Sequence, residues 1–121
     1  MLVADDEPTV CATLRHYFRF RGYEVDTAST CPAALELLAS SSYEVVVTDL
    51  RLETGGEKDG LGVIAAARQR FPDAVIVVFT GMGTEALAEQ ARRCGASSFL
   101  EKPLPLSRLA GVIDALSRKK E

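Results

Sequence analysis

The segment Tyr43-Glu44-Val45-Val46-Val47-Thr48-Asp49 narrows the architectures open to this chain more than any other. Three contiguous β-branched residues leave no polar face. The segment therefore reads as a strand covered on both sides, as in a parallel sheet between helical layers. A second run, Ala74-Val75-Ile76-Val77-Val78-Phe79, is more apolar still and is expected to lie centrally in the same sheet. The first run ends in a carboxylate, Asp49, and a polar, glycine-containing loop follows. In open α/β sheets the crevice outside the carboxyl ends of the strands is where ligands bind. Asp49 is thus the leading functional candidate.

The remaining chain alternates strands with helices. Met1 to Ala4 is a short apolar strand that breaks into Asp5-Asp6-Glu7-Pro8, with Pro8 in the first turn of a helix, where its missing N–H costs nothing. Val10, Leu14, Tyr17 and Phe18 give that helix an apolar stripe, and Gly22 stops it. Tyr23 to Ala28 alternates in the manner of a half-buried strand near a sheet edge. Ser29 or Thr30 caps a second helix, which has Pro32 in its first turn and Ala34, Leu35 and Leu38 on its buried side; Ser40-Ser41-Ser42 ends it. Arg51 to Asp59 has no hydrophobic period and reads as a mobile loop. Gly60 opens a third helix carrying Leu61, Ile64, Ala65 and Ala67 to about Arg70, and Phe71-Pro72-Asp73 turns the chain. After the strand ending at Thr80-Gly81, an alanine-rich helix runs from Thr84 to Cys94 and stops at Gly95. Ser97 to Leu100 is a last strand leading into Glu101-Lys102-Pro103. Leu104 to about Arg118 is the last helix, with Leu109, Val112, Ile113 and Leu116 inward. A strand–helix unit repeated five times, with helices long enough for right-handed crossovers, gives one doubly wound α/β domain over residues 1–121.

Composition excludes several functions. A net charge of -3 argues against direct nucleic-acid binding, which needs a basic patch. No apolar run approaches the roughly 20 residues that span a bilayer. Asp5, Asp6 and Glu7 stand where a signal peptide would be basic. The three cysteines, Cys11, Cys31 and Cys94, are odd in number and far apart, which suits a reducing cytoplasm and no zinc site. They read as inert helix residues, and the single histidine, His16, as a surface residue.

The residues just beyond the strands form a coherent set: Asp5 and Asp6 after the first, Asp49 after the third, Thr80 after the fourth and Lys102 after the fifth. Crossover topology brings these ends to one rim. Any one acid there is an ordinary loop residue, but four of five strand ends carry a type that one reaction needs. Three carboxylates in a crevice repel one another, and a hard divalent cation such as Mg²⁺ relieves them. A lysine and a hydroxyl beside that cation can neutralise a phosphoryl group, and a carboxylate can itself be the nucleophile.

With these residues in view, the chain resembles the receiver domain of bacterial response regulators, the phosphoacceptor half of two-component signalling. The resemblance spans Leu2 to roughly Ser117 and rests on Val3-Ala4-Asp5-Asp6-Glu7-Pro8, Val47-Thr48-Asp49-Leu50, Phe79-Thr80-Gly81 and Gly95-Ala96-Ser97-Ser98-Phe99-Leu100-Glu101-Lys102-Pro103. It implies a flavodoxin-like three-layer sandwich whose five-stranded parallel sheet has the order 2-1-3-4-5. It implies that Asp49 takes a phosphoryl group from the phosphohistidine of a sensor histidine kinase or histidine phosphotransfer protein. Asp6, Asp49 and the backbone carbonyl of Arg51 would ligate Mg²⁺ (Mn²⁺ as its substitute), with Asp5 acting mainly through water. Lys102 would pair with the phosphoryl oxygens, Thr80 would donate its hydroxyl to them, and Phe99 would rotate inward as Thr80 moves. Arg51 and Met82 match positions that tune aspartyl-phosphate hydrolysis, Gly81 replaces the family's usual alanine, and the Lys102-Pro103 bond is often cis. The resemblance further implies a cytoplasmic protein that signals through the face around its fourth helix, fifth strand and fifth helix to an output domain or partner, with homodimerisation on phosphorylation. One departure stands out. Glu53 occupies the family's proline position, and the loop runs about three residues longer before Asp59-Gly60.

Three other readings compete. A phosphorylation-independent interaction module of the same fold would be signalled by loss of a site residue, and none is lost. A Mg²⁺-dependent phosphohydrolase would need a second acid/base group and a substrate cap. A flavin module would need a phosphate-cradling loop where Asp5-Asp6-Glu7 repels phosphate.

Overall fold

The computed structural model describes residues 1–52, 59–81 and 83–119. Its elements are β1 (Leu2–Ala4), α1 (Pro8–Phe20), β2 (Asp26–Ala28), α2 (Cys31–Ser40), β3 (Val45–Thr48), α3 (Asp59–Arg70), β4 (Val75–Thr80), α4 (Glu85–Cys94), β5 (Ser98–Glu101) and α5 (Leu106–Lys119). The five strands form one parallel sheet in the order β2-β1-β3-β4-β5. No helix among the described residues is long and apolar enough to cross a membrane.

The contiguous β-branched runs fill two interiors. Strand side chains alternate faces, so Val46, Ile76 and Val78 join Leu38, Ile64 and Ala91 under α2, α3 and α4. Val45, Val47, Val75 and Val77 join Leu14, Phe18, Leu109 and Ile113 under α1 and α5. A polar residue anywhere in Val45–Val47 would land in one interior or the other, which is why the run has none.

Most element boundaries follow local chemistry. Pro8 takes the first turn of α1, and Thr30 is the cap of α2, its hydroxyl accepting the Ala33 N–H at 3.1 Å. The structure corrects several details. β2 starts at Asp26 and not Tyr23, because the Tyr23 N–H returns to the Phe18 carbonyl (3.0 Å) and its ring meets Phe18 edge-on at 5.7 Å. Those residues finish α1 before any pairing begins. Leu35 is 38% exposed; the buried stripe of α2 passes through Ala34 and Leu38, one turn apart, and Leu35 lies off it. In α3 the buried positions are Gly60, Val63, Ile64 and Ala67, while Ala65 faces solvent. β5 begins at Ser98, since the Ser97 hydroxyl is occupied with the Ile76 N–H at 3.1 Å. The loop expected to be mobile falls mainly on residues 53–58, outside the described residues.

Away from the carboxyl rim, Arg68 joins two turns. Its guanidinium donates to the carbonyls of Pro72, Ala74 and Gly95 at 2.8–3.0 Å and to the Ser97 hydroxyl at 3.2 Å. Gly95 ends α4 with φ 117°, and a β-carbon there would sit 2.6 Å from Arg68 Cγ. Gly111 lies within α5, where a β-carbon would meet nothing within 4 Å. Gly95→Ala is expected to cost about 1–2 kcal/mol from the left-handed backbone alone, whereas Gly111→Ala should gain about 0.5–1 kcal/mol. Denaturant melts of the two variants should shift in opposite directions.

Candidate functional site

Parallel register assembles the rim. Ala4 pairs with Thr48, which sets Asp5 beside Asp49, and the Asp49 N–H bonds the Ala4 carbonyl at 2.8 Å. Thr80 pairs with Glu101, so Lys102 follows at the same level and its N–H bonds the Thr80 carbonyl at 2.8 Å. The Lys102-Pro103 bond is cis, as the resemblance implies.

Four of the sequence-nominated side chains converge. The Lys102 ammonium bridges Asp5 Oδ2 at 2.7 Å and Asp49 Oδ2 at 3.1 Å. It also lies 5.5 Å from the centroid of the Phe79 ring, close enough for a cation–π contribution. Carboxylate oxygens of Asp5, Asp6 and Asp49 fall within 4.8 Å of one another. Asp5 and Asp49 are buried and Asp6 is partly so. The other oxygens are held by main chain: Asp5 Oδ1 accepts the Glu7 N–H at 2.9 Å, and Asp49 Oδ1 accepts the N–H groups of Leu50 (2.7 Å) and Arg51 (3.3 Å).

Electrostatics explains what the pocket would accept. Three carboxylates face one ammonium, a formal charge of -2 at a rim largely withdrawn from water. Burial pushes the Asp5 carboxyl above its ordinary range, although the hydrogen bonds from Lys102 and the Glu7 N–H pull the other way. For Lys102 burial favours the neutral amine, but the bond to Asp5 and the charges of Asp49 and Asp5 outweigh it and raise the ammonium's pKa. The lysine therefore stays charged, and the excess negative charge suits a hard divalent cation held by oxygen ligands. The donor set fits Mg²⁺, with Asp5, Asp6 and Asp49 as the residues that would hold it.

The other nominated residues are less central. Thr80 is fully buried at the end of β4, next to β3. Phe99 is partly buried against the α2–α4 interior, paired with Val78. Arg51 has an exposed side chain, and its N–H is what reaches the site. Met82 lies outside the described residues. His16 is exposed on α1. Sequence reasoning missed two contributors, Phe79 beneath the lysine and Thr48, whose hydroxyl donates to the Asp49 carbonyl at 2.8 Å. A hydroxyl ending an otherwise aliphatic strand was the available signal for Thr48.

A 2-1-3-4-5 parallel sheet with an acid cluster and a lysine at its carboxyl rim defines a receiver-type α/β domain. Residues 1–114 match the family model of the response regulator receiver domain. The chain belongs to that family. It is 37% identical over 113 residues to the photosynthetic apparatus regulatory protein RegA of Rhodobacter capsulatus, covering 93% of this chain and 60% of that protein. It is 36% identical over 103 residues to the alginate biosynthesis transcriptional regulatory protein AlgB of Pseudomonas aeruginosa, covering 85% of this chain and 22% of that one. The chain thus spans less than two thirds of the length of either relative. Among solved structures, a response regulator from Burkholderia pseudomallei with a phosphorylated aspartic acid, calcium ion and citrate superposes with a TM-score of 0.86 at 31% identity, covering 98% of this chain and 68% of that one. The beryllofluoride-activated NtrC4 receiver domain dimer also gives 0.86, at 32% identity, covering 99% and 97%.

The pocket's charge sets stability against function. Because burial raises the Asp5 pKa, its stabilising contribution is complete below the ordinary carboxylate range and is lost as pH rises through the elevated value. Asp5→Asn keeps an acceptor for the Glu7 N–H and removes that cost. The metal-free variant should be more stable than wild type near neutral pH, since two carboxylates then share the lysine instead of three, while the thermal stabilisation given by Mg²⁺ should shrink or vanish. Thermal melts with chelator and with Mg²⁺ read both effects.

Proposed function

We propose that this domain accepts a phosphoryl group on Asp49 from the phosphohistidine of a sensor histidine kinase or histidine phosphotransfer protein. The observation that carries this reading is the Lys102 ammonium spanning Asp5 and Asp49 inside a three-carboxylate cluster. Asp49 Oδ1 is committed to two main-chain N–H groups, whereas Oδ2 contacts only Lys102 among the described partners. Oδ2 is therefore the nucleophile: an O–P bond forms as the N–P bond of phosphohistidine breaks, and the bonding pair returns to the imidazole nitrogen. Lys102 is placed to follow the phosphoryl oxygens. Asp6, Asp49 and the Arg51 carbonyl would hold Mg²⁺, with Asp5 acting through water, and the ion would supply charge neutralisation for a phosphoryl group.

Once Asp49 is phosphorylated, the Thr80 hydroxyl moves toward the phosphoryl group and Phe99 turns inward behind it. This shifts the population of the α4–β5–α5 face that an output domain or partner reads. Dimerisation on phosphorylation fits the activated NtrC4 receiver, described as a dimer. Arg51 and Met82 tune the hydrolysis that ends the signal, and the domain works in the cytoplasm. The alternative of a phosphorylation-independent module finds no support in a site that retains Asp5, Asp6, Asp49, Thr80 and Lys102.

Incubation with acetyl phosphate and Mg²⁺ followed by intact mass tests the reading. Wild type should gain one acid-stable, base-labile phosphoryl unit, and Asp49→Asn none. Absence of the adduct in wild type, or its persistence in the variant, overturns it.

A further inference from the structure

Resting on Asp49 as phosphoacceptor, we propose that Gly60 and Thr48 form a two-sided clamp on the Asp49 main chain and are positioning residues for its carboxylate. Gly60, the second residue of α3, is buried, and its N–H donates to the Leu50 carbonyl at 2.9 Å. A β-carbon on Gly60 would lie 2.1 Å from the Asp49 carbonyl oxygen, 2.6 Å from Leu50 Cα and 2.9 Å from the Asp49 carbonyl carbon. All three are main-chain atoms and cannot swing aside as a side chain could. The need is for clearance and not for unusual backbone angles, since the positive-φ glycines among the described residues are Gly22 and Gly95. On the other side Thr48, with no solvent exposure, donates its hydroxyl to the same carbonyl oxygen at 2.8 Å.

The clamp reaches the carboxylate through peptide planarity. The Asp49 carbonyl and the Leu50 N–H belong to one rigid plane, so fixing the oxygen fixes the direction of the N–H. That N–H makes the 2.7 Å bond to Asp49 Oδ1, and the Arg51 N–H supports it at 3.3 Å. With Oδ1 held, Oδ2 is left facing Lys102 at 3.1 Å. An alanine at position 60 must push the 49–50 plane, α3 or both, and in either case the grip on Oδ1 changes. Gly62 provides the contrast, since a β-carbon there would meet only Cys31 Sγ at 3.7 Å, an ordinary contact.

The test combines the rate of Asp49 phosphorylation by acetyl phosphate with Mg²⁺ and the ¹H–¹⁵N resonances of the Leu50 and Arg51 amides. Gly60→Ala should slow phosphorylation about 100-fold, the scale of an ångström-level misplacement, and should shift the Leu50 amide toward an unbonded position. Thr48→Val should slow it about tenfold or less, as for one lost hydrogen bond, with a smaller shift in the same direction. Gly62→Ala should match wild type on both readouts. Leu38→Ala, a destabilising change remote from the rim, should keep wild-type amide positions and rate wherever it is folded. A wild-type rate and wild-type amide positions in Gly60→Ala overturn the clamp, as does an equal slowing in Leu38→Ala. If Gly60→Ala does not fold, Thr48→Val decides by the same two readouts. If wild type takes no phosphoryl group, the functional reading fails on its own, and the amide positions still decide the clamp.

Discussion

The ammonium of Lys102 between Asp5 and Asp49 is the contact on which the rest of the architecture depends. Its three members come from the ends of β1, β3 and β5, far apart in sequence, and none of the strands is long enough to specify the meeting alone. Parallel register does so. Ala4 opposite Thr48 and Thr80 opposite Glu101 bring the ends level, and only then can one lysine satisfy two buried carboxylates. Unpaired, either acid would carry a substantial desolvation cost. The fold positions the charges, and the pairing lessens the cost of burying them.

That pairing leaves the rim with an excess of negative charge, which suits it to work that a neutral crevice could not do. Two acids and a lysine would balance more nearly and would make an inert structural bridge. Asp6, within 4.8 Å of the others, leaves the bridge with a charge that a cation would relieve. Membership of the response regulator receiver family is consistent with this logic.

Much of this was legible in the sequence because it was written in types that admit one explanation. Contiguous valines before Asp49 mean two covered faces, and their alternate assignment to the two interiors bears that out. The set Asp5, Asp6, Asp49 and Lys102, which the structure brings together, could be read because each lies just beyond the end of a strand. Other features resisted for physical reasons. Tyr23 and Glu24 alternate like a strand, yet a tertiary contact to Phe18 claims Tyr23 first. Leu35 is apolar and still falls off the α2 stripe. The importance of Gly60 depends on how closely α3 approaches Asp49, and that distance exists only after folding. The pattern that marks a helix start carries no trace of it.

The split of Val45–Val47 between two interiors has one more consequence. Val46 is packed by α2, α3 and α4, while Val45 and Val47 are packed by α1 and α5. The strand that leads into Asp49 is thus supported by two nearly independent foundations, neither of which bears its position alone. Sequence drift in one helical layer is resisted by the other before it can reach Asp49. An arrangement of this kind lets the outward surfaces diversify toward different partners while the carboxylate stays where it was.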